Sequence, residues 1–292
     1  MDRFAAVIVN HRTPDETVRA VDALRRSRRP LDDLIVVDNA SGDDSAERFR
    51  ALEPPLTVLA APSNLGFAGG ANLGIREALS RDAVAVLLVN SDALVDPDCA
   101  GRLEAMLANR PDVGVAAPVI VSSGNPPTVL SAGIRFSPTT GRVLEQTFPR
   151  REVDAVSGAV MLVRAEVFRR LGLIDEAYFF SFEDVDFCVR ARAAGFASVC
   201  VPDATARHAG SRTIGRRSPR RLYFATRNHL RLAARVAPAP SVGRHVLRTA
   251  SIVSLNIAHA LLTSEAPRLA GLAAVLRGGW DHARGRYGVG CV

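Results

Sequence analysis

The stretch that decides the fold is AVAVLLVNSD, residues 83–92. Its first seven residues are apolar without alternation, which predicts a strand buried on both faces of a parallel sheet. Because a buried strand excludes charge, Asp92 must lie at its carboxyl end, where open α/β sheets bind ligands. There the carboxylate could hold a divalent metal ion or a sugar hydroxyl. The alternative is that Asp92 caps a helix beginning near Pro97, or forms a turn with Asp96.

Strand-like and helix-like segments alternate along most of the chain. Strands are predicted at residues 4–9, 34–37, 56–60, 83–89, 113–121, 153–163 and 197–201. Helices are predicted at residues 15–29, 45–52, 69–79, 97–109, 165–171 and 183–194. This alternation predicts an α/β fold with a doubly wound, mostly parallel sheet. Residues 122–149, rich in Gly, Pro, Ser and Thr, predict loops with short antiparallel pieces, and an Arg-rich loop and two or three helices are expected at the end.

The charge of the chain is unevenly distributed. Residues 1–206 hold 22 Arg and 28 acidic residues, whereas residues 207–292 hold 15 Arg and only Glu265 and Asp281 as acids. A basic tail on an acidic body predicts that the tail meets a negatively charged partner. Because the sequence has no zinc-finger spacing and no RNP-like motif, anionic lipid is favoured over nucleic acid.

Cysteine usage and hydropathy indicate a cytoplasmic protein. The cysteines at positions 99, 188, 200 and 291 have no CxxC spacing and are typical of a reducing compartment. Strand-like sequence begins at Phe4, so no signal peptide is expected. The longest uncharged stretch of the tail, residues 249–264, is shorter than a membrane span. The expected location is therefore the cytoplasm, with at most peripheral contact at the inner face of the plasma membrane.

Polar clusters follow three of the predicted strands: Asn10-His11, Asp38-Asn39 and Asn90-Ser91-Asp92. Because the carboxyl ends of parallel strands face one crevice, these clusters together predict a site for a nucleotide-type ligand. The alternative is three unrelated turns, since Asn and Asp suit turns in any case.

A glycine-rich loop, NLGFAGGAN at residues 64–72, joins the third strand to a helix. Its glycines permit close approach of a ligand to the backbone, and the helix N-terminus favours an anion. The loop differs from GxGxxG and does not follow the first strand, which argues against a dinucleotide fold. Since there is no GKS or GKT, a P-loop is excluded. A plain tight turn is the alternative.

Acidic residues open a predicted helix at Glu183-Asp184-Val185-Asp186, directly after the aromatic run YFFSF at residues 178–182. The helix macrodipole favours acids at this position, so simple capping is one interpretation. The other is catalytic, because carboxylates beside apolar rings lose solvation and become better bases. His208 follows the last predicted strand and is either a metal ligand or a surface or packing residue.

These segments, taken in order, resemble family 2 glycosyltransferases with the GT-A fold, particularly the rhamnosyltransferase-like branch. The likeness covers about residues 4–235 and is carried by VIVN (7–10), VVDNAS (36–41), NLGFAGG (64–70), NSD (90–92) and FEDVD (182–186). The resemblance implies inverting transfer of a sugar, with dTDP-rhamnose the best match, from a nucleoside diphosphate donor. The implied acceptor is a hydroxyl of a cell-envelope glycan or of a polyprenyl-linked glycan.

The resemblance also implies roles on the donor side. Asp38 would contact the nucleotide base and Asn10 would lie near the nucleoside. Asn64, Gly66, Gly69, Asn90 and Ser91 would complete the nucleotide-sugar site. Asn90-Ser91-Asp92 corresponds to the DXD motif with Asn in first place, so that Asp92 would ligate Mg²⁺ or Mn²⁺ bridging the diphosphate.

On the acceptor side, the resemblance implies that Asp184 is the catalytic base, with Glu183 as the second choice. His208 corresponds to a position where some relatives add a metal or diphosphate ligand. Two other functions are kept as alternatives: a glycosyltransferase acting on a soluble natural product, and a non-catalytic nucleotide-sugar-binding protein. The latter predicts loss of Asp92 or Asp184, and both are present.

The expected domain organisation is a GT-A catalytic domain over residues 1–210 and a basic helical extension over residues 211–292. Within the first, residues 1–121 would bind the donor and residues 122–210 would provide the acceptor and catalytic part. Apolar residues at 230, 232, 246, 252, 255, 257, 261 and 262 suit amphipathic helices in the extension. These helices would either pack on the catalytic domain or lie on anionic lipid.

Overall fold

The computed structural model describes residues 3–150, 152–210, 217–236, 241–263 and 265–290. Cys291 and residues 211–216 of the Arg-rich loop lie outside these ranges. Among the described residues, nine strands form one sheet and two further strands form a small hairpin. The strands are β1 (Arg3–Asn10), β2 (Asp33–Asp38), β3 (Thr57–Ala60), β4 (Ala83–Asn90), β5 (Ala93–Val95), β6 (Val113–Ser122), β7 (Val129–Ser131), β8 (Ile134–Phe136), β9 (Val143–Glu145), β10 (Val160–Arg164) and β11 (Ala197–His208).

The sheet is mostly parallel, in the order β3-β2-β1-β4-β10-β6-β11-β5, with β7 paired to β6. Strands β1 to β4 pair in parallel, and so do β6 and β11. Between these groups β10 runs antiparallel to both β4 and β6, and β5 runs antiparallel to β11 at the edge. The hairpin of β8 and β9 forms a separate two-stranded sheet. The predicted α/β class is therefore confirmed.

Helices cover both faces of the sheet. The helices are α1 (Pro14–Arg25), α2 (Ser45–Arg50), α3 (Gly66–Ser80), α4 (Cys99–Asn109), α5 (Ala165–Leu171), α6 (Glu183–Ala193), α7 (Pro219–Val236), α8 (Val242–Leu262) and α9 (Arg268–Ala283). One apolar core contains side chains from α1, α2 and α4, and the other contains side chains from α3, α5, α6 and α7. This arrangement is the doubly wound sheet that the sequence predicts.

Strand β4 shows why its sequence does not alternate. Val86 and Leu88 pack into the core with α3, whereas Leu87 and Val89 pack into the core with α1 and α4. Successive side chains of a strand point to opposite faces, so burial of both faces requires an unbroken apolar run. The run ends at Asn90, at the carboxyl end of the strand.

Three predicted boundaries are corrected. The strand predicted at residues 153–163 begins only at Val160, because Gly158 and Ala159 form a turn before it. Strand β11 continues to His208 rather than ending at Val201, since a register shift accommodates Pro202. A bulge of this kind leaves the proline nitrogen outside the ladder of hydrogen bonds. Helix α3 begins at Gly66, three residues earlier than predicted.

The last three helices pack on one another and on the segment before α6. Leu222, Tyr223 and Phe224 of α7 share an apolar cluster with Phe179 and with side chains of α8 and α9. Leu232 of α7 lies in the same core as α3 and α6. Within the described ranges, none of the helices combines the length and the apolar character needed to cross a membrane. The domain boundary at residue 210 stays a prediction.

Candidate active site

A cavity of about 500 Å³ opens at the carboxyl ends of β1, β2 and β4. Asp92 and Asp184 both line it, as do Glu183 and His208. The antiparallel direction of β10 explains why Asp92 and Asp184 line one cavity. The start of β10 lies beside the end of β4, where Asn90 N donates to Ala159 O over 2.9 Å. The volume of the cavity is within the range of small-molecule sites, which is about 300–1,000 Å³.

Two of the predicted nucleotide-binding residues lie behind the cavity wall. Asn10 is fully buried, and its Nδ2 donates to Asp38 Oδ1 and Ser41 Oγ, each over 2.9 Å. Its Oδ1 accepts from Thr17 Oγ1 over 2.8 Å. Asn10 and Asp38 are absent from the lining, so their contacts in the structure hold the ends of β1 and β2 together. Gly69 lies within α3 and is also absent from the lining.

The glycine-rich loop is fixed by the turn after β2. Asn39 Oδ1 accepts from Leu65 N over 3.0 Å, and Asn39 Nδ2 donates to Gly66 O over 2.9 Å. Asn64 Nδ2 lies 3.0 Å from His11 Nε2, while His11 Nδ1 lies 3.1 Å from Asn39 O. Because that carbonyl can only accept, the imidazole proton is on Nδ1 and Nε2 accepts. His11, Asn39, Asn64 and Gly66 all line the cavity.

Gly66 is required by its surroundings as well as by its backbone. Its φ is +71°, and a Cβ at this position would stand 2.3 Å from the carbonyl oxygen of Phe179. The loop therefore approaches the segment before α6 more closely than any side chain would permit. Phe67 N donates to the same oxygen over 2.8 Å, which joins the two halves of the site.

Asp92 and His208 form a pair that can hold a metal ion. His208 Nε2 lies 3.0 Å from Asp92 Oδ1, and the two side chains are 16% and 9% exposed. Strand β5 follows Asp92 and pairs with the end of β11, which brings His208 to the carboxylate. No cluster of three or more acidic, His or Cys side chains suited to a metal occurs in the described ranges. The Asp92 carboxylate fits a cation such as Mg²⁺ or Mn²⁺ that completes its coordination with substrate phosphates, whereas an imidazole ligand suits a transition metal rather than Mg²⁺.

Asp184 is anchored by two backbone N–H groups. Gly158 N donates to its Oδ2 over 2.7 Å, and Val185 N donates to its Oδ1 over 2.8 Å. Burial raises the pKa of Asp184, and these two donors act in the opposite direction because they stabilise the ionised form. Asp184 is thus a fixed carboxylate at the cavity wall.

Glu183 is the carboxyl next to Asp184, and its surroundings differ from those of Asp184. It is 7% exposed, and within the described ranges its Oε2 has no hydrogen-bond partner. Burial, followed by the charge of Asp184, raises the pKa of Glu183. When two neighbouring carboxyls compete, the one with hydrogen-bond donors keeps the negative charge. We therefore assign the charge to Asp184 and the proton to Glu183.

Glu145, Gly158 and Arg220 line the cavity although the sequence analysis gives them no role there. Glu145 is the last residue of β9; it is exposed overall, and partial desolvation of its carboxyl at the cavity, with the charge of Asp184 adding, raises the pKa of Glu145. Gly158 holds Asp184 through its N–H, and Arg220 lies in the first turn of α7 at the cavity. For Gly158, the pair Ser157-Gly158 just before an apolar strand is a usable sequence signal. Glu145 lies in the irregular segment, where the sequence offers no periodic pattern.

Comparison with known proteins identifies relatives of the chain. Residues 2–233 match the family described as glycosyltransferase like family 2. The chain is 30% identical to the N-acetylglucosaminyl-diphospho-decaprenol L-rhamnosyltransferase of Mycobacterium tuberculosis, over 65% of this chain and 70% of that protein. It is 24% identical to the low-salt glycan biosynthesis hexosyltransferase Agl10 of Haloferax volcanii, over 66% of this chain. The chain spans 62% of the length of Agl10.

The fold is shared with a solved enzyme. The mannosyltransferase PcManGT from Pyrobaculum calidifontis, in complex with GDP-Man and Mn²⁺, superposes with a TM-score of 0.62. The alignment covers 99% of this chain and 76% of that chain at 18% sequence identity. This likeness confirms the expected GT-A architecture, a mostly parallel sheet with helices following it.

Proposed function

Because the chain belongs to glycosyltransferase-like family 2, we propose that it is an inverting glycosyltransferase that uses a nucleoside diphosphate sugar. The observation that carries the proposal is that Asp92 and Asp184 line one cavity although 92 positions separate them in sequence. Direct displacement at an anomeric carbon needs a base on one face of the sugar and charge stabilisation on the other. Asp184 would supply the base, and Asp92 would hold a cation that stabilises the charge on the departing diphosphate.

Asp184 is the proposed base. Its carboxylate is held by Gly158 N and Val185 N, which orients it without a cation that would weaken its basicity. It accepts the proton of the acceptor hydroxyl as the oxygen attacks the anomeric carbon and the bond to the diphosphate breaks. Glu183, protonated beside it, keeps the local charge at one and does not compete for the proton. Base catalysis of this kind contributes about 10²–10⁴-fold.

The donor diphosphate is proposed to lie between the glycine-rich loop and the pair of Asp92 and His208. This pair would hold Mg²⁺ or Mn²⁺ against the phosphates, and the cation would neutralise the charge on the departing diphosphate. Asn90 and Ser91 line the cavity beside Asp92 and are proposed to bind the sugar diphosphate. Asn10 and Asp38 act from behind the wall by fixing the strand ends near the nucleoside.

The donor and acceptor are proposed from the relatives. The Mycobacterium tuberculosis relative is named for transfer of L-rhamnose to N-acetylglucosaminyl-diphospho-decaprenol. We propose dTDP-rhamnose as donor and a hydroxyl of a polyprenyl-linked or other cell-envelope glycan as acceptor. The site of action would be the inner face of the plasma membrane.

The test of the catalytic assignment is Asp184→Asn. We expect release of nucleoside diphosphate from dTDP-rhamnose in the presence of acceptor to fall by at least about 10²-fold, with donor affinity by calorimetry unchanged within about twofold. Asp112→Asn is the matched control, because Asp112 is an exposed partner of Arg110 away from the cavity. A near-normal rate for Asp184→Asn would move the base to Glu183. Absence of turnover with any donor in the unaltered protein would leave nucleotide-sugar binding alone as the function.

The last two helices supply a surface that fits a lipid-linked acceptor. In α9, Leu269, Leu276 and Trp280 are 85%, 54% and 57% exposed and recur every three to seven residues, so they share one face. In α8, Leu247, Leu255 and Leu262 are 69%, 50% and 80% exposed, and their spacings of eight and seven residues also place them on one face. Arg268, Arg277 and Arg284 of the α9 region are exposed as well. Exposed apolar stripes beside Arg are typical of helices that lie on anionic bilayers.

Vesicle sedimentation tests this surface. We expect the full chain to sediment with vesicles containing phosphatidylglycerol and not with pure phosphatidylcholine. Replacing Leu269, Leu276 and Trp280 together by Ser should release it from the vesicles, whereas Val84→Ser, a single exposed apolar residue of β4, should not. Failure of the full chain to sediment with anionic vesicles would favour a soluble acceptor.

A further inference from the structure

Three successive polar residues of α7, Arg227, Asn228 and His229, are buried. Their exposed fractions are 0%, 0% and 8%. Successive helical residues point about 100° apart, so neighbours must surround α7 on several sides to bury all three. A buried polar group is costly unless it is hydrogen-bonded, and the partners of these three residues therefore show what they do.

Asn228 binds the backbone of the loop that precedes the catalytic acids, here named the active-site loop (residues 177–182). Its Nδ2 lies 2.7, 2.7 and 3.0 Å from the carbonyl oxygens of Tyr178, Phe180 and Ser181, so its two N–H groups serve three acceptors and one hydrogen is shared. Its Oδ1 accepts from Arg227 Nε over 3.0 Å, which fixes the orientation of the amide. One side chain thus ties together three carbonyls of a six-residue loop.

Arg227 binds the beginning of the same loop. Its Nη2 donates to Tyr178 O over 3.1 Å, and its Nη1 donates to Gly288 O over 2.9 Å. Gly288 N in turn donates to Ala177 O over 3.0 Å, so the residues after α9 join the contact. Burial lowers the pKa of Arg227, while Tyr223, which donates to Asp281 Oδ2 over 2.7 Å, lies beside the guanidinium.

His229 binds the end of the loop and the hairpin that lines the cavity. Its ring stacks on Phe182 with 5.1 Å between centroids and 13° between planes. Its Nε2 lies 2.7 Å from Gly141 O, between β8 and β9, and must donate because a carbonyl only accepts. Burial lowers the pKa of His229, so the ring is neutral.

The active-site loop needs such support because its backbone is strained. Phe179, Ser181 and Phe182 have φ values of +60°, +69° and +71°. Phe180 N donates to Tyr178 O, so Phe179 is the centre of a γ-turn of the rare, strained kind. Non-glycine residues in such conformations persist only when the surroundings enforce them. Phe182 is also the residue directly before Glu183, where α6 begins.

We propose that Arg227, Asn228 and His229 are positioning residues that hold the active-site loop in its strained conformation and so place Glu183 and Asp184 at the cavity. The inference rests on the proposed function in assigning catalysis to these acids. In this proposal α7 does more than pack against its neighbours, because it fixes the position of Asp184 relative to the sugar. The contacts of α7 are with the aromatic run directly before the acids, residues 178–182.

Asn228→Ala tests the proposal through the split between kcat and donor affinity. We expect kcat to fall on the order of tenfold to hundredfold, because displacement of a catalytic group by about 1 Å costs that much. Donor affinity by calorimetry should change by less than about twofold, since the donor side is built from the strand ends. Asn256→Ala is the matched control, because Asn256 also donates to a backbone carbonyl, that of Ile252, but within α8.

Hydrogen exchange separates this proposal from the proposed function. Asn228→Ala should speed amide exchange across residues 177–185 by at least about tenfold and leave β1 and β4 unchanged, whether or not the chain is a glycosyltransferase. His229→Phe, which keeps the stacked ring and removes the hydrogen bond to Gly141, is the second variant if Asn228→Ala does not fold. Unchanged exchange in residues 177–185, or a loss of kcat matched by an equal loss of folded protein, would overturn the proposal.

Discussion

Gly158→Ala is the sharpest test of how Asp184, the proposed base, is held. Gly158 N donates to Asp184 Oδ2 over 2.7 Å, and a Cβ added at Gly158 would stand 3.1 Å from both Cβ and Oδ2 of Asp184. The φ of Gly158 lies outside the left-handed region, so alanine brings no backbone strain. The substitution therefore acts through the contact, pushing the carboxylate away from its hydrogen-bond donor by a few tenths of an ångström.

The size of the effect follows from the bond that is weakened. A hydrogen bond to a charged group contributes about 1.5–3 kcal/mol, and about 1.4 kcal/mol corresponds to a factor of ten in rate. We expect kcat to fall by up to about tenfold to hundredfold, with donor affinity unchanged within about twofold. Because the N–H favours the ionised form, weakening it raises the pKa of Asp184 further. The acid limb of the pH profile of kcat should then move to higher pH.

The assay is steady-state release of nucleoside diphosphate across pH, together with calorimetric binding of the donor. Gly101→Ala in α4 is the matched control, because its added Cβ would meet only Arg29 Cβ at an ordinary 3.5 Å. A Gly158→Ala enzyme with kcat within about twofold of the unaltered protein and the same acid limb would refute the reasoning.

Three further outcomes are expected. Glu183→Gln should raise the Tm at about pH 8 and leave it unchanged at about pH 4. The pKa of Glu183 is raised in the folded protein, so its burial lowers stability only as the pH rises above the pKa of Glu in the unfolded chain. The same change in Tm at both pH values would contradict this. Asp92→Asn should weaken calorimetric binding of Mn²⁺ with dTDP by at least about tenfold, and His259→Asn, remote on α8, should not. Leu88→Ala, at 1% exposure, should cost about 2–5 kcal/mol in urea unfolding, and a cost below about 1 kcal/mol would contradict the two-faced burial of β4.

The sequence predicts β4 and the start of α6 well because the physics there is local. An unbroken apolar run has few places in a fold other than between two cores, and β4 lies between two. Three acids suit the positive end of a helix dipole, and α6 does begin at Glu183. Neither inference depends on what the segment packs against.

The direction of β10 could not be predicted in the same way. Residues 153–163 are apolar enough for a strand, but strand direction depends on which neighbours pair with it. The role of Gly158 follows from that direction, since β10 brings its own beginning to the cavity, and so it was missed as well. Glu145 was missed because the hairpin of β8 and β9 has only three residues in each strand.

The tail shows a different limit. Its periodicity predicts amphipathic helices, but it does not tell which apolar side chains find a partner in the same chain. Leu230, Leu232 and Ile252 are buried, whereas Leu255 and Leu262 of the same tail are exposed. The contacts of Asn228 and Arg227 were also beyond the sequence, because their partners lie about 50 positions away.

Because strand β10 runs antiparallel to both of its neighbours, its beginning rather than its end lies at the cavity. Since β10 enters the sheet from the cavity side, the segment just before it, residues 157–159, lines the cavity together with the ends of the parallel strands. The two sheet neighbours of β10, β4 and β6, need only its short apolar ladder to remain. Under the proposed function, exchanges just before Val160 would therefore reshape the wall on the Asp184 side of the cavity while the ends of the parallel strands keep their arrangement.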